Sequence, residues 1–260
     1  MDSAGITRKD WDSEFFGREI WSADPSIALD SENLVGLLEE MDENGVWGIE
    51  CHVPSSLFGA IPQLENAGFR LVDTRAVFRT EMDLSYSKHK QDGGNGSVRF
   101  ATNEDCEAIL EITDQTFVSG EIPFPSRFNN RDLFSENEAK RYYRAWITNN
   151  FDENERLCSV FEVEGEVVGY FLYGIDDSTN PVTLKGLMAG VRPEQRGSGA
   201  HLRMQHLILN ELPYHTVLLD NTTQVTNIPV IRNHIQSSRW LKDTLFTFYR
   251  LRTSLAGTPM

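Results

Sequence analysis

The chain has 260 residues, of which 40% are hydrophobic and 10% aromatic, as in ordinary globular proteins. Its 39 acidic and 24 basic residues give a formal net charge of −15, which argues against non-specific binding to nucleic acid or to an anionic membrane. We expect no signal peptide and no membrane span, because no apolar run approaches the ~18 residues that a span needs. Three widely spaced cysteines match neither a disulfide framework nor a metal cluster, so we expect reduced thiols, no metal and a cytoplasmic protein.

The first part of the chain, residues 1–86, predicts a small α/β domain. In chain order the pattern indicates an edge strand and turn over 9–21, a helix over 31–41 capped by Ser31, a strand over 46–53, a helix from Pro54 to the C-cap glycine Gly68, and a strand or hairpin over 69–82. Residues 87–97 have no apolar side chain and three glycines within four positions, which is typical of a linker. A domain boundary is therefore predicted there.

Residues 98–260 predict a larger domain with a mixed sheet and helices on its faces. The predicted elements are a strand over 98–101, a helix over 102–118, a loop over 119–134, a helix over 136–151, a hairpin over 157–163 and 167–175, a strand over 181–191, a helix over 202–212, a strand over 215–219, a helix over 229–236 and a strand over 240–251.

The two parts share a short motif. Residues 71–78 and 241–248 both read Leu-x-Asp-Thr-x-x-x-Phe, at an offset of 170 residues, and each copy follows a predicted strand and helix. Such a repeat indicates a partial duplication, in which the first part is a truncated copy of the second.

A turn with two glycines joins the predicted strand 181–191 to the helix 202–212. The first turn of a helix has backbone N–H groups without intrahelical partners, and the helix dipole makes that end positive. Gly197 and Gly199 carry no side chains that would keep a ligand away from these groups. The turn is either an anion site suited to a phosphate or a plain turn that needs glycine for its geometry.

The spacing Val191-x-Pro193-x-x-Arg196-Gly197-x-Gly199 resembles the coenzyme A loop of the GNAT acyltransferases. His201 departs from the family pattern, which has Gly or Ala there. The order of elements over 98–252 is also similar to the GNAT fold, a mixed α+β sheet splayed between its fourth and fifth strands. The first part would be a smaller, partial GNAT-like domain.

The resemblance implies that acetyl-CoA or another short acyl-CoA is the acyl donor, and that no metal takes part. The residues that it assigns to coenzyme binding are Leu187, Met188, Ala189, Val191, Arg196, Gly197, Ser198, Gly199, Ala200, His201 and Asn227. Backbone N–H groups of residues 187–190 would face the thioester oxygen. Asn227 is either a contact of the coenzyme arm or a helix N-cap, and these two roles are compatible.

Seven residues after Asn227, many GNAT enzymes carry a tyrosine that protonates the departing thiolate. His234 stands at that position here. A protonated imidazole could donate the same proton, if an acidic neighbour raised its pKa. The alternative is a histidine placed for packing.

Three further segments resemble one GNAT branch, the dTDP-fucosamine N-acetyltransferases. They are Trp11–Gly17, Pro125–Phe128 and Thr223–Pro229. The resemblance implies transfer of an acetyl or other short acyl group to the amine of a dTDP- or UDP-linked amino dideoxy sugar, for cell-surface polysaccharide biosynthesis. It leaves the oligomeric state open, with a homodimer as one option.

Four loop residues are candidates for the acceptor side. Glu121 could act as the base that deprotonates the amine, or could be a solvated surface acid. Arg127 could bind the phosphates of the sugar nucleotide, or form a salt bridge with a carboxylate. Phe124 and Phe128 could wall the sugar or base pocket, or plug the core.

Two other functions remain open. One is a GNAT enzyme that acetylates a peptide or small amine, which would need an open groove for its acceptor. The other is a GNAT-like acyl-CoA-binding protein without catalysis, which the departures at His201 and His234 keep open.

Overall fold

The computed structural model describes residues 5–84, 95–119, 126–151 and 156–252. The strands are β1 (Ile6–Arg8), β2 (Ile20–Ala23), β3 (Gly48–Pro54), β4 (Arg70–Asp83), β5 (Ser97–Phe100), β6 (Arg156–Val163), β7 (Glu166–Asp176), β8 (Val182–Val191), β9 (Thr216–Gln224) and β10 (Leu241–Leu251). The α-helices are α1 (Asp10–Phe16), α2 (Ser31–Glu43), α3 (Ile61–Asn66), α4 (Cys106–Thr113), α5 (Glu136–Phe151), α6 (Ala200–Glu211) and α7 (Ile228–Gln236). No helix in these ranges is long and apolar enough to cross a membrane.

The chain divides into two compact units that are discontinuous in sequence. Among the described residues, the first unit contains 5–76, 126–138 and 243–252, and the second contains 77–84, 95–119, 139–151 and 156–242. This division differs from the predicted linear one at 87–97. The last strand of the chain, β10, belongs to the first unit, and β4 passes from the first unit into the second after Ala76. Residues 87–94 of the predicted linker lie outside the described residues.

The first unit is a mixed sheet with α2, α3 and two short 3-10 turns packed on it. Its strand order is β1-β2-β3-β10, in which β2 and β3 are parallel and the other neighbours antiparallel. The inward side chains of α2, Leu34, Leu37 and Met41, are buried with Ile49 and Phe248 of the sheet. The 3.6-residue spacing of these apolar positions places them on one face of the helix.

The second unit contains the strand order β9-β8-β7-β6-β5, with β4 beside β9. β8 and β9 are parallel, and the pairs β5-β6, β6-β7 and β7-β8 are antiparallel. α6 packs on one face of the sheet through Met204 and Ile208, together with Phe171. α4 packs on the other face through Ile109 and Ile112. The alternation of side chains along each strand supplies both faces with apolar residues.

Three local predictions were wrong. The predicted edge strand over 9–21 is the helix α1 followed by β2, because Asp10 and Asp12 suit the positive first turn and Gly17, with φ 64°, ends the helix in the left-handed region. Asp30 rather than Ser31 caps α2, and its carboxylate accepts from the N–H of Glu32 at 2.9 Å. The predicted helix after Pro54 consists of a 3-10 turn, Ser55–Ala60, and the short α3.

Both copies of the Leu-x-Asp-Thr motif lie on strands, β4 and β10, and each strand follows a helix. The preceding strand is β3 in the first copy and β9 in the second. The copies exchange strands: β10 pairs with β3, and β4 lies beside β9. An antiparallel ladder between β3 and β10 makes Asp243–Leu251 part of the first unit.

Candidate active site

The central feature of the second unit is a fork between β8 and β9. The two strands pair in parallel from Val182–Gly186 to Val217–Asn221. Beyond these residues β8 continues to Val191 and β9 to Gln224 without pairing to each other. Backbone polar groups of β8 that point away from β7 therefore have no strand partner beyond Gly186.

A β-bulge lies at the fork. Tyr173 of β7 pairs with Gly186, whereas the next residue, Leu172, pairs with Met188. Leu187 is the extra residue on β8, and a bulged residue stays outside the regular ladder and re-aims its neighbours. The segment predicted to face a thioester oxygen, residues 187–190, therefore begins at an irregularity of the β7–β8 ladder.

The glycine-bearing turn leads into α6. Gly197 and Gly199 have φ angles of 82° and 80°, which residues with a side chain rarely adopt. No other atom lies within 4 Å of the position that a Cβ would occupy at either glycine. The glycines are therefore required by backbone conformation, and the space in front of the first turn of α6 is open to a ligand. Ser198 donates to the carbonyl of Gln195 at 2.7 Å, and Arg196 Nε donates to that of Val191 at 3.3 Å, so both side chains brace the turn.

His201, at the second position of α6, contacts the interior of the unit. Its ring stacks on Phe171, with centroids 4.8 Å apart, and makes an edge contact with His234 at 6.2 Å. Burial, together with the charge of Arg239, lowers the pKa of His201 to about 4. The departure from the family pattern thus places a neutral imidazole between the glycine turn and the fork.

Asn227 is the N-cap of α7. Its side chain accepts from the N–H of Val230 at 3.4 Å. This is one of the two predicted roles, and the contact with a coenzyme arm stays a prediction.

His234 lies on α7 with 3% of its surface exposed, and its ring centroid is 4.7 Å from that of Phe78. Its Nδ1 lies 3.3 Å from Nη1 of Arg239. Because a guanidinium can only donate, Nδ1 is the acceptor and the proton of the neutral ring lies on Nε2. Burial and then the charges of Arg239 and His201 lower the pKa of His234 to about 3. No acidic neighbour raises that pKa, so the resting ring is neutral and its predicted role as a protonated acid has no support in this geometry.

The low pKa of His234 predicts a pH dependence of stability. The unfolded chain binds a proton at this residue near pH 6.5, but the folded chain does so only near its pKa of about 3. The unfolded state therefore binds more protons between these two values, and the free energy of unfolding rises with pH between about 3 and 6.5. We expect His234→Gln to flatten this rise in urea unfolding curves. The matched variant His215→Gln, at an exposed histidine, should keep it; equal slopes in both variants would contradict the assignment.

Sequence reasoning missed Arg239 and Asn221. Arg239 Nη1 donates to Oδ1 of Asn221, the last residue of β9 paired with β8. The side chain of Asn221 crosses Gly186 so closely that a Cβ there would collide with it. No motif marks either residue. A lone arginine after a helix and an asparagine within a strand are common, and these two come into contact only in the folded unit.

Two of the four predicted acceptor residues lie in the described part of the chain. Arg127 and Phe128 belong to the first unit. Arg127 forms ion pairs with Glu50 and Asp12, which is the alternative to phosphate binding that the sequence left open. Phe128 is buried beside Phe134, with ring centroids 5.4 Å apart, as a core residue is. Glu121 and Phe124 lie outside the described residues.

Comparisons with known proteins address the fold. No protein-family model matches the chain, and no curated protein matches its sequence. Solved structures do match: a conserved protein of unknown function from Staphylococcus epidermidis has a TM-score of 0.63 at 10% identity, covering 90% of this chain and 85% of its own. A GCN5-related N-acetyltransferase from Sphaerobacter thermophilus gives 0.59 at 16% identity, with 89% and 73% covered. A tandem GNAT protein from the clavulanic acid biosynthesis pathway gives 0.54 at 15% identity, with 88% and 70% covered.

The chain has the GNAT fold. These similarities confirm the predicted mixed α+β class and the open, mixed sheet. Within this fold the glycine turn is open in front of the first turn of α6, and β8 has no strand partner on the β9 side beyond Gly186. No group of three or more His, Cys, Asp or Glu side chains is placed to hold a metal ion in the part of the chain that the structure describes.

Proposed function

We propose that the protein is an N-acyltransferase that moves an acetyl or other short acyl group from acyl-CoA to an amine. The observation that carries this proposal is the fork between β8 and β9, with a β-bulge at Leu187 and the open glycine turn of α6 in the same unit. An acyl-CoA supplies an activated acyl group as a thioester. Acyl-CoA carries a pyrophosphate and, some distance away, a thioester. The glycine turn suits the pyrophosphate, and the backbone donors of β8 suit the thioester.

The start of α6, the bulged segment of β8 and the start of α7 each have a task in this reaction. The N–H groups at the start of α6, assisted by the helix dipole, bind the anionic pyrophosphate without any need for a basic surface, which suits a protein of net charge −15. Backbone N–H groups of residues 187–190 donate to the carbonyl oxygen as negative charge develops on it. Asn227 orients the start of α7, and buried Phe171 and Phe78 keep water from the interior of the unit.

We further propose that the acceptor is the amino group of a nucleotide-linked amino dideoxy sugar. The support is the resemblance of Trp11–Gly17 and Thr223–Pro229 to sugar-nucleotide acetyltransferases. The carboxylates on Arg127 mean that this residue supplies no free cation for the nucleotide phosphates. Recognition of the phosphates would therefore rely on other groups of the chain.

Thiol release from acetyl-CoA tests both levels of the proposal. The assay uses one panel of dTDP- and UDP-linked amino sugars and a second panel of peptides and polyamines. Release with a single nucleotide sugar would support the acceptor class and identify the acceptor. Release with peptides alone would contradict the sugar proposal and keep the acyltransferase, whereas binding of CoA with no turnover of acetyl-CoA or a longer acyl-CoA would favour a non-catalytic binding protein.

A further inference from the structure

Arg239 is a buried cation without a buried anion. It is 3% exposed, and no other lysine or arginine among the described residues is as buried. Its Nη1 contacts a neutral amide and a neutral imidazole, those of Asn221 and His234. Its Nε and Nη2 have no hydrogen-bond partner. Burying an ion in this way is costly unless a counter-charge is supplied.

Two other partly buried arginines of the chain are paired with carboxylates. Arg127 forms ion pairs with Asp12 and Glu50, and Arg99 with Asp105 and Glu162. In an acidic protein, carboxylates are abundant, but none of the described ones pairs with Arg239. The counter-charge is thus missing from the described part of the chain, and a bound anion would supply it.

The position of the guanidinium limits which anion can bind to it. Asn221 holds Nη1 at the last paired position of the fork, opposite Gly186, and the bulged Leu187 is the next residue. On another side, His201 connects the start of α6 to His234 through ring contacts. Arg239 thus lies among β9, α6 and α7. An extended ligand that runs from the glycine turn to the bulge passes between these elements. Apolar rings, those of Phe171 and Phe78, line the histidines.

We propose that Arg239 is a catalytic residue that binds the sulfur of coenzyme A as a thiolate. The inference rests on the proposed acyl transfer. In that reaction the amine nitrogen forms a bond to the acyl carbon, the carbon–sulfur bond breaks with its electron pair remaining on sulfur, and the proton of the amine passes to solvent. The N–H groups on Nε and Nη2 of this permanent cation stabilise the new anion directly, so that no proton donor is needed.

The histidines around the guanidinium agree with this role. The titratable groups that face Arg239 are His201 on α6 and His234 on α7, while β9 contributes the amide of Asn221. Both histidines are neutral at physiological pH, and each has a lowered pKa partly because of Arg239. They therefore neither compete for the anion nor supply the proton, and a free thiol, which ordinarily titrates near 8.5, would ionise earlier beside the guanidinium.

The test compares CoA with desulfo-CoA, which lacks the thiol. Calorimetric titrations at about pH 7 in buffers of different ionisation enthalpy report proton release on binding. We expect CoA to release most of one proton and to bind at least about tenfold more tightly than desulfo-CoA, since a bound thiol whose pKa lies one unit below the assay pH is about 90% thiolate and gains about a factor of ten in affinity. Desulfo-CoA should release none. In Arg239→Met the proton release and the tenfold advantage should vanish while the affinity for desulfo-CoA stays the same, and Arg239→Lys should retain part of both.

Arg79→Met is the matched control, because it removes from the same unit an arginine that already pairs with Asp220 at 2.5 Å. It should leave proton release unchanged. Equal affinities of the wild-type protein for CoA and desulfo-CoA, with no proton release, would overturn the inference without any variant having to fold. Failure of both ligands to bind would instead contradict the proposed function. Unchanged proton release in folded Arg239→Met would assign the thiolate to another group and overturn the inference too.

Discussion

Gly199→Asp should abolish CoA binding, with a loss of at least about 100-fold in affinity, and should leave the fold intact. The variant places a carboxylate at the N-cap of α6, where the N–H groups and the positive end of the dipole would otherwise bind the pyrophosphate. It also forces a side chain into a backbone of φ 80°, at a cost of about 1 kcal/mol. Isothermal titration with CoA measures the first effect and a urea unfolding curve the second.

Gly165→Asp separates the two effects. Gly165 has φ 85° and, like Gly199, no other atom within 4 Å of the position that a Cβ would occupy, but it lies in the hairpin turn between β6 and β7. The control variant therefore carries the same strain and the same charge at a distance in sequence from the glycine turn. We expect it to lose similar stability and to bind CoA as the wild type does. Retained CoA affinity in Gly199→Asp would remove the central claim about the turn.

Glu50→Ala should lower the free energy of unfolding by about 3–5 kcal/mol, because removing one member of a buried ion cluster leaves uncompensated charges. Glu50 is fully buried on β3 of the first unit. It accepts from Lys9 at 2.5 Å, from His52 at 2.9 Å and from Arg127. Burial raises the pKa of this carboxyl, but the charge of Arg127, the hydrogen bond from His52 and the charge of Lys9 outweigh that effect and hold the pKa well below its ordinary value.

The same cluster predicts that the free energy of unfolding falls at low pH. Because the folded pKa of Glu50 is depressed, its contribution is fully present above the pKa of the unfolded chain, near 4.3, and is lost as pH falls toward the folded pKa. Glu50→Gln should therefore flatten the loss of stability below about pH 4.5. Glu14→Ala, at an exposed position of α1, is the control and should shift stability by less than about 0.5 kcal/mol.

A double variant shows whether the loss of stability in Glu50→Ala arises from the ion pair with Arg127. If the ion pair carries it, Glu50→Ala combined with Arg127→Met should cost less than the sum of the single changes, since the second change removes the charge that the first leaves unpaired. Additive losses would mean that Arg127 contributes through packing on Phe128, which its guanidinium covers at 4.4 Å, rather than through charge.

The GNAT-like order of elements and the glycine turn could be predicted from the sequence because both depend on local pattern. Alternating or 3.6-residue apolar spacing predicts strands and helices, and a residue with φ near 80° is most easily glycine. The same local logic failed at Asp10–Phe16, where aromatic residues next to charges resembled an edge strand and the cap at Gly17 decided for a helix.

Roles that depend on partners far along the chain could not be predicted. Arg127 suited phosphates by its chemistry, but Glu50 and Asp12, 77 and 115 residues away, occupy its guanidinium. His234 aligned with a family acid, yet its protonation is set by burial and by Arg239. Sequence spacing contains no information on desolvation, which exists only once the chain is packed.

The sequence by itself determined the fold class and the glycine turn before α6, because both follow from residue type and short spacing. The separation of two strands was an expectation from the resemblance to the GNAT acyltransferases. Only the tertiary structure decided that β10 joins the first unit, that Leu187 is the bulged residue and that a buried arginine stands at the fork. The physical reason is that strand pairing and burial are long-range. They join residues such as Cys51 and Phe248, almost two hundred positions apart, whose own neighbours give no sign of the pairing.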